Sequence, residues 1–420
     1  MLNVFDELIA AQKRGEAKGL TSVCSAHPYV IKQTLRVSKT FRVSPLIEAT
    51  CNQVNQFGGY TGMTPKDFVS YIHSIAVEND FPFEDIVLGG DHLGPNVWRN
   101  EPAESAMDKS KVLIRDYVQA GFVKIHLDCS MRLTDDPHGA LKPEVIARRA
   151  AQLTKVSEEA VETGLAPIHL PRYVIGTEVP IPGGAQEHED GVSVTKVEDA
   201  RETIDIHRKA FYELGLQSAW DRIVAVVVQP GVEFGDNFVL PYQPDAAKEL
   251  SRFIESQSMV YEAHSTDYQT RDALRNLVHD HFAILKVGPG LTFAFREAIF
   301  ALAMIEDELI KKEWRSNIIQ VLDDVMAKHP EHWQKYYRGD EAEQAFKRKY
   351  SLSDRARYYW VQPKVQMAFE RLMINLGGKV LPDSLLRQFV GERELKAEQV
   401  IAWKINKVLN DYMEACRAGE

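Results

Sequence analysis

The sequence predicts a (β/α)8 barrel, a TIM barrel, followed by a C-terminal helical extension. Eight strand-like apolar runs occur before residue 288, and amphipathic helical patterns lie between them, which is typical of a parallel sheet flanked by helices. Eight such strands favour closure into a barrel over an open sheet. No GxGxxG fingerprint follows the first strand, which weighs against a Rossmann domain.

Each predicted strand ends on or next to a polar or charged residue. The predicted strands are 20–27, 45–48, 86–92, 123–128, 173–178, 223–229, 259–264 and 283–286. The main helical patterns cover 64–79, 103–120, 143–163, 196–214, 243–256 and 291–312. Because a parallel barrel carries its active site where its strands end, we expect the polar side chains to converge on one cavity.

The alternation of predicted strands and helices stops near residue 313, so we expect two regions. Residues 1–312 form the barrel with its metal and sugar-phosphate site, and residues 313–420 form a helical C-terminal region packed on the barrel or on a partner. Two loops, 51–63 and 179–196, are long and rich in polar residues, glycine or proline. Long loops at the strand ends of a barrel are usually functional.

Composition excludes several classes of protein. The chain has 420 residues and a formal net charge of −10, which disfavours binding to nucleic acid or to an anionic membrane. Its four cysteines are far apart and form no CxxC pair, so we expect neither a disulfide framework nor a zinc knuckle. No signal peptide and no apolar run of about 18 residues is present, and we expect a cytoplasmic protein.

Four residues at the predicted strand ends offer metal ligands. Imidazole and oxygen ligands from different strands suit a divalent ion, and His92, Glu178, Gln229 and His264 offer them. Asp91 is then free to act as an acid or base. The alternatives are structural: Asp91 caps a helix, Glu178 anchors the proline- and glycine-containing loop, and Gln229 merely ends a strand.

Two strands place several polar residues on one face. Lys124, His126 and Asp128 alternate along one strand and therefore point to the same side, as do Glu262 and His264 on another. Barrel interiors normally hold branched apolar residues, so polar groups there are costly unless they are paired. A buried structural salt bridge is the alternative for the first group, and a satisfied core histidine is the alternative for the second.

Lys286 ends the last strand, close to the usual phosphate site of barrels. Ser265, the Gly288 backbone and the following helix N-terminus are predicted to hold a phosphate. Lys286 as a Schiff-base lysine remains the alternative. Arg355 and Arg357 are candidates to reach over the barrel mouth, although a solvated basic face is the favoured interpretation.

Several long segments resemble the GatZ/KbaZ family, the second subunit of class II tagatose-bisphosphate aldolases. The matching segments begin at Ser22, Ile47, Leu88, Ile175, Val227, Tyr261 and Tyr350. They include Leu88-Gly-Gly-Asp-His-Leu-Gly-Pro-Asn96 and Tyr261-Glu-Ala-His-Ser-Thr-Asp267. The resemblance spans nearly the whole chain.

The resemblance implies a (β/α)8 barrel that binds a divalent metal (Zn, Mg or Mn). Asp91 and His92 match the base and a ligand of class II aldolases, and His264 matches a later histidine ligand. Gln229 falls at another ligand position without being histidine, and Glu178 replaces the lost ligand. The predicted catalytic residues are Asp91, Asp128 and Glu178, and the predicted substrate-binding residues are Glu48, Asn52, His126, Glu262, Ser265, Lys286 and Gly288.

The family resemblance leaves three functions open. The first is a metal-dependent epimerase that converts D-tagatose 6-phosphate to D-fructose 6-phosphate at C4. The second is a non-catalytic subunit that stabilises a class II aldolase, and the third is an aldolase active alone. A kinase is not predicted, because no GxxxxGK[ST] loop occurs. We also expect a homo-oligomer.

Overall fold

The computed structural model describes residues 3–162, 170–177 and 192–417. Eight strands close into a parallel barrel in the order β1-β10-β9-β6-β5-β4-β3-β2. The strands are β1 (Leu20–Cys24), β2 (Leu46–Thr50), β3 (Val87–Leu93), β4 (Lys124–Leu127), β5 (Arg172–Ile175), β6 (Ile223–Val227), β7 (Glu233–Phe234), β8 (Val239–Leu240), β9 (Val260–Ala263) and β10 (Ile284–Val287). The two short strands β7 and β8 form a hairpin outside the barrel. The predicted fold is therefore confirmed.

Helices surround the barrel and form the C-terminal region. Within the described ranges the α-helices are α1 (Val4–Lys13), α2 (Pro28–Phe41), α3 (Pro65–Glu78), α4 (Ala103–Ala120), α5 (Pro143–Glu162), α6 (Val197–Glu213), α7 (Gln217–Trp220), α8 (Pro244–Glu255), α9 (Arg271–His279), α10 (Pro289–Leu309), α11 (Ile318–Lys328), α12 (Glu341–Tyr350), α13 (Pro363–Leu376), α14 (Asp383–Phe389) and α15 (Ala397–Cys416). Short 3-10 helices cover Gly59–Thr61, Phe83–Asp85, Pro95–Trp98, Lys312–Trp314, Pro330–His332 and Arg355–Tyr358. None of the described helices has the length and apolar character that crossing a bilayer requires.

Local sequence signals account for the start of α3. Thr64 accepts a hydrogen bond from the backbone N–H of Asp67, and Asp67 bonds back to the backbone of Thr64. This reciprocal capping satisfies two N–H groups that have no partner inside the helix. Pro65 occupies the first helical position, where no N–H is needed. The predicted helix at 64–79 is observed with nearly the same bounds.

The barrel interior changes character along its axis. Its N-terminal end is apolar, because Phe5 and Leu8 of α1 pack against Leu46, Val224 and other buried strand residues. The opposite end, where the strands finish, is filled with charged and polar side chains instead. Helix α1 therefore closes the bottom of the barrel, and the open end is left for a site.

The last helix of the chain completes the ring of helices around the barrel. Helix α15 packs against α9, α10, α2 and β1. Its Cys416 carbonyl accepts a hydrogen bond from the Gly19 backbone at 2.8 Å, and its Tyr412 hydroxyl lies 2.9 Å from the Thr266 hydroxyl. The wall of the barrel is thus covered in part by residues far beyond 312, and the division into 1–312 and 313–420 stays a prediction.

Loss of packing in α15 should destabilise the barrel itself. Leu409 is fully buried on α15, so Leu409→Ala should lower the free energy of unfolding by about 2–5 kcal/mol. The matched control is Ile374→Ala on α13, a residue that is 80% exposed and should change stability by less than about 0.5 kcal/mol. Chemical denaturation followed by circular dichroism measures both. Equal small effects would show that α15 does not support the fold.

Candidate active site

A layer of ion pairs crosses the interior of the barrel below its mouth. Glu48 on β2 accepts from Lys124 on β4 at 2.6 Å and from Lys286 on β10 at 2.5 Å. Lys124 also lies 2.6 Å from Glu262 on β9, and the Ser22 hydroxyl donates to Glu48 at 2.6 Å. The layer therefore joins strands from all around the barrel through a single central carboxylate.

Both lysines in this layer are held in the charged form. Burial lowers the pKa of Lys124, but Glu262 and Glu48 outweigh it and the net pKa is raised. Burial likewise lowers the pKa of Lys286, yet Asp91, Cys24 and Glu48 raise it well above the usual value. A Schiff-base lysine needs a neutral amine and hence a lowered pKa. The Schiff-base alternative for Lys286 is therefore disfavoured.

Three imidazoles lie directly above the ion-pair layer. The ring centroids of His92, His126 and His264 are 5.0–5.2 Å apart in every pairing. They come from β3, from β4 and from the residue after β9. All three are buried. Residues at alternate positions of the two polar strands point into the barrel interior, as the sequence predicted.

Hydrogen bonds fix which ring nitrogens are available. His264 Nε2 lies 2.9 Å from Glu262 Oε1, so a proton on Nε2 leaves the Nδ1 lone pair free. His126 Nδ1 lies 2.9 Å from Asp91 Oδ1 and 3.2 Å from the His92 backbone nitrogen. The His92 N–H donates to His126 Nδ1, and His126 Nε2 is buried and has no partner among the described residues.

The two aspartates of the site have different surroundings. Asp128 is fully engaged: its Oδ2 lies 2.8 Å from His92 Nδ1, and its Oδ1 accepts from the backbone and hydroxyl of Ser130. Asp91 Oδ1 lies 2.9 Å from Lys286, and its Oδ2 accepts from the Cys24 thiol at 3.1 Å. Asp91 also lines the cavity at the mouth. Both aspartates have contacts at both oxygens, but only Asp91 lines the mouth, and Asp91 is therefore the one placed to reach a substrate.

Burial and nearby charges shift the pKa values of these groups. Burial raises the pKa of Asp91, but His92 and Lys286 outweigh it and hold the pKa well below its usual range. Burial lowers the pKa of His264 to about 4, so its imidazole is neutral, as a metal ligand must be. Burial lowers the pKa of His92, but Asp91 and Asp128 outweigh this effect, so the net pKa is raised.

Backbone conformation is strained at two site residues. His92 and Ser265 have φ angles of 49° and 53°, in the left-handed region that residues with a side chain seldom occupy. Such conformations cost about 1–3 kcal/mol and are often found at functional sites. In this protein they lie at the ends of β3 and β9 and turn two polar side chains towards the mouth.

The mouth itself is a small cavity of about 90 Å³. Its lining includes the predicted site residues Asp91, His92, Asn52, His264, Ser265, Lys286 and Gly288. Tyr60 from the long loop after β2 and Arg357 and Tyr358 from the C-terminal region also line it. The solvated basic face favoured for Arg355 and Arg357 is wrong, because Arg355 is 3% exposed and Arg357 covers the mouth.

The expected phosphate position at the start of α10 already holds a carboxylate. Asp267 Oδ1 accepts from the backbone N–H groups of Gly288 at 3.0 Å and Gly290 at 2.7 Å. Burial raises the pKa of Asp267 to about 6, although the Gly290 and Gly288 N–H groups oppose this rise. The Gly288 N–H predicted to bind phosphate is therefore occupied by the protein itself.

The predicted metal ligand Gln229 makes its contacts elsewhere. Gln229 Oε1 accepts from the backbone N–H groups of Gly231 at 2.8 Å and Val232 at 3.0 Å. We therefore expect Gln229 to hold its own turn rather than a metal. Glu178 lies outside the described residues.

His126 and Glu262 belong to a group of four potential metal ligands. Ligand atoms of Asp91, His126, Glu262 and His264 all lie within 4.8 Å of one another, whereas the sequence predicted substrate contacts for His126 and Glu262. The signal was present, since both residues share an inward strand face with another predicted site residue. Asp267 had no such signal, because only the fold brings it to the start of α10.

The charge balance of the site favours a cation. Four carboxylates and two ammonium groups with side chains at most 7% exposed meet in the barrel. They are Glu48, Asp91, Asp128 and Glu262, with Lys124 and Lys286. The carboxylates thus outnumber the ammonium groups by two, and His92, whose pKa is raised, offsets one of these charges when it is protonated. Buried charge is costly unless it is neutralised. The orphaned His126 Nε2, the neutral His264 and the carboxylates match the ligands of a divalent metal.

Comparison with known proteins places the chain in a family. The family model for D-tagatose-1,6-bisphosphate aldolase subunit GatZ/KbaZ-like proteins matches residues 5–417. The D-tagatose-1,6-bisphosphate aldolase subunits GatZ of Salmonella heidelberg (strain SL476) and Salmonella dublin are 52% and 51% identical, each over 98% of both chains. A crystal structure of a probable tagatose 6 phosphate kinase from Sinorhizobium meliloti 1021 has a TM-score of 0.87 and 46% identity, covering 95% of this chain and 100% of that one. The chain therefore belongs to the D-tagatose-1,6-bisphosphate aldolase subunit GatZ/KbaZ-like family.

Proposed function

We propose that this chain is a subunit of a class II D-tagatose-1,6-bisphosphate aldolase and works with a separate catalytic chain. The relatives that support this proposal carry that name and match 98% of the chain. We also propose that the barrel mouth binds a divalent metal and a phosphorylated ketose. The observation that carries this second part is the buried cluster of three imidazoles and four carboxylates, in which the carboxylates outnumber the ammonium groups.

The proposed ligands are His126, Glu262 and His264, with Asp91 and His92 beside them at the mouth. When bound, a divalent ion supplies a Lewis acid that stabilises negative charge on the oxygens of a ketose. The protein residues then have separate tasks. Asp128 orients the His92 ring through the bond to Nδ1. Lys286, which is itself held by Glu48, fixes the Asp91 carboxylate from below.

Metal binding should depend on the histidines that share the cluster. The full-length chain, stripped with a chelator and reloaded with Zn, Mn or Mg, should retain about one divalent ion per chain. His126→Gln and His264→Gln should weaken metal affinity by at least about 10–100-fold, the loss known even for residues that only support a ligand. Elemental analysis after gel filtration and the metal-dependent rise in melting temperature measure this.

The matched control is His73→Gln, which replaces an exposed histidine on α3 and should leave metal content unchanged. Wild-type protein that retains none of the three metals would contradict the metal site. So would His126→Gln and His264→Gln variants that bind metal as tightly as wild type.

Association with an aldolase should be visible with purified proteins. Mixed with the catalytic chain of a class II D-tagatose-1,6-bisphosphate aldolase, this chain should co-elute from a sizing column and lengthen the half-life of the aldolase activity on warming. An equal mass of serum albumin controls for nonspecific protection. Separate elution together with an unchanged half-life would reject the subunit function.

A second candidate function is a ketose-phosphate 4-epimerase, favoured by the position of Asp91 at the mouth. The C4 hydrogen of a 2-ketose is not adjacent to the carbonyl, so enolisation cannot remove it. Instead, Asp91 accepts the C4 hydroxyl proton, the C3–C4 bond breaks, and its electron pair passes into an enediolate across C2 and C3. The aldehyde then rotates, the bond re-forms on its other face, and Asp91 returns the proton to the C4 oxygen.

The epimerase should act without any partner chain. Metal-loaded full-length protein should convert D-tagatose 6-phosphate to D-fructose 6-phosphate, measured by a coupled assay for the product. Asp91→Asn should lower kcat by about 10²–10⁴-fold, the usual contribution of a general base. Asp245→Asn, which removes an exposed carboxylate from α8, should have no effect. No conversion with Mg, Mn or Zn would reject the epimerase and leave the subunit function standing.

A further inference from the structure

One buried arginine in the C-terminal region has no negative partner. Four arginines are buried in the described part of the chain: Arg149, Arg296, Arg348 and Arg355. The first three pair with Asp136, Asp354 and Asp323 at 2.7–3.1 Å. Arg355 is 3% exposed, yet no described carboxylate forms an ion pair with it. Its charge therefore has no carboxylate partner in the described part of the chain.

The contacts of Arg355 position its guanidinium group without neutralising it. Nη1 donates to the His332 carbonyl at 3.3 Å, and the guanidinium carbon lies 3.1 Å from the centre of the Tyr336 ring. Nε is buried and has no partner among the described residues. Burial lowers the pKa of Arg355; Tyr358 opposes this effect and Arg357 adds to it, and the net pKa is lowered. A buried charge of this kind is costly unless an anion pairs with it.

Arg355 lines a polar cavity of about 500 Å³ beside the barrel mouth. Lys335 and Arg99, both exposed, add two more cationic side chains to its lining. Glu331 also lines the cavity, but it forms no ion pair with Arg355 within 4.0 Å. The lining therefore carries more positive than negative charge, in a protein whose net charge is −10.

The cavity adjoins the proposed metal site. Asn52, Tyr60 and Tyr358 line both this cavity and the mouth, and the two tyrosine rings meet with centroids 4.6 Å apart. The mouth, at about 90 Å³, is smaller than the roughly 300–1,000 Å³ of pockets that enclose a small-molecule ligand. A phosphorylated sugar held at the mouth must therefore extend into a neighbouring space.

The usual phosphate position of a barrel offers no room for that group. Its two backbone N–H groups, on Gly288 and Gly290, already donate to Asp267. A phosphate placed there would meet the buried Asp267 carboxylate, and like charges at short range in a low dielectric repel strongly. The neighbouring cavity offers three cationic side chains instead, and Arg355 is the buried one among them.

We propose that the cavity lined by Arg355, Lys335 and Arg99 is the phosphate subsite for the sugar bound at the mouth. Arg355 pairs with phosphate oxygens through its planar fork, and the two exposed cations add attraction at the rim. The assignment rests on the proposed function, because it takes a ketose phosphate as the ligand. The assignment implies that the phosphorylated end of the bound sugar points away from the start of α10.

Binding measurements on the metal-loaded full-length chain test this subsite. Calorimetry should show D-tagatose 6-phosphate binding more tightly than D-tagatose. Arg355→Gln should weaken binding of the phosphorylated sugar by about 10–100-fold, as expected for loss of a charged hydrogen bond, and should leave binding of D-tagatose unchanged. Lys335→Gln should weaken it by about 2–5-fold, as expected for a partly solvated cation.

Lys335 is exposed, so the Lys335→Gln variant should fold. It therefore tests the subsite even if the Arg355→Gln variant does not fold. The matched control is Lys364→Gln, which removes an exposed cation from α13 and should change nothing. If both test variants keep the wild-type preference for the phosphorylated sugar, the subsite is wrong and the proposed function stands. If inorganic phosphate binds and depends on Arg355 while neither sugar binds, the anion site stands and the sugar-phosphate function fails.

Discussion

The structure of the site depends on one carboxylate, Glu48, that lies between two buried ammonium groups. Removing such charges from water costs several kcal/mol for each ion, and only the short contacts to Lys124 and Lys286 offset that cost. Because the partners sit on different strands, the network fixes the relative positions of β2, β4 and β10. Loss of either lysine would leave a buried carboxylate short of a partner, which typically costs about 3–5 kcal/mol.

The ion-pair layer also sets the geometry of the groups above it. Lys286 contacts both Glu48 and Asp91, and Asp91 in turn fixes the His126 ring. The strained backbone of His92 brings a third imidazole towards the same point. Lys286 and Asp91 thus form a chain of contacts that leads from Glu48 to the His126 ring. This preorganisation is what a metal or substrate site requires.

Much of the fold was predictable because strands and helices carry local signals. The apolar runs and the Thr64-Pro65 helix start appear in the sequence alone, and polar residues at alternate strand positions revealed which side chains share the interior. Helix α15 could not be placed, since nothing local indicates that residues near 400 cover β1. The site was predictable only as a set of residue types, because the sequence does not show which hydrogen bonds each one makes.

Arg355 and Asp267 illustrate where sequence reasoning stops. Two arginines spaced by one residue usually indicate a solvated face, and only tertiary packing against Tyr336 and the His332 carbonyl buries Arg355. Asp267 follows a strand like other candidate ligands, yet its carboxylate turns to the backbone of Gly288 and Gly290. Burial and hydrogen bonding decide what Arg355 and Asp267 do. These contacts come from segments that are distant in sequence.

The charged layer also bears on whether the mouth is an active site or a remnant in a purely structural subunit. A barrel does not need such charges for stability, because ordinary barrels fill this level with branched apolar side chains. Replacing a buried ion network by apolar residues is often neutral or stabilising. A subunit with only a structural task therefore gains nothing from four buried carboxylates, an orphaned imidazole nitrogen and an unpaired arginine beside them. A cation at the histidines and an anion at Arg355 would neutralise both kinds of excess charge at once, and a metal-bound sugar phosphate brings that pair of charges together.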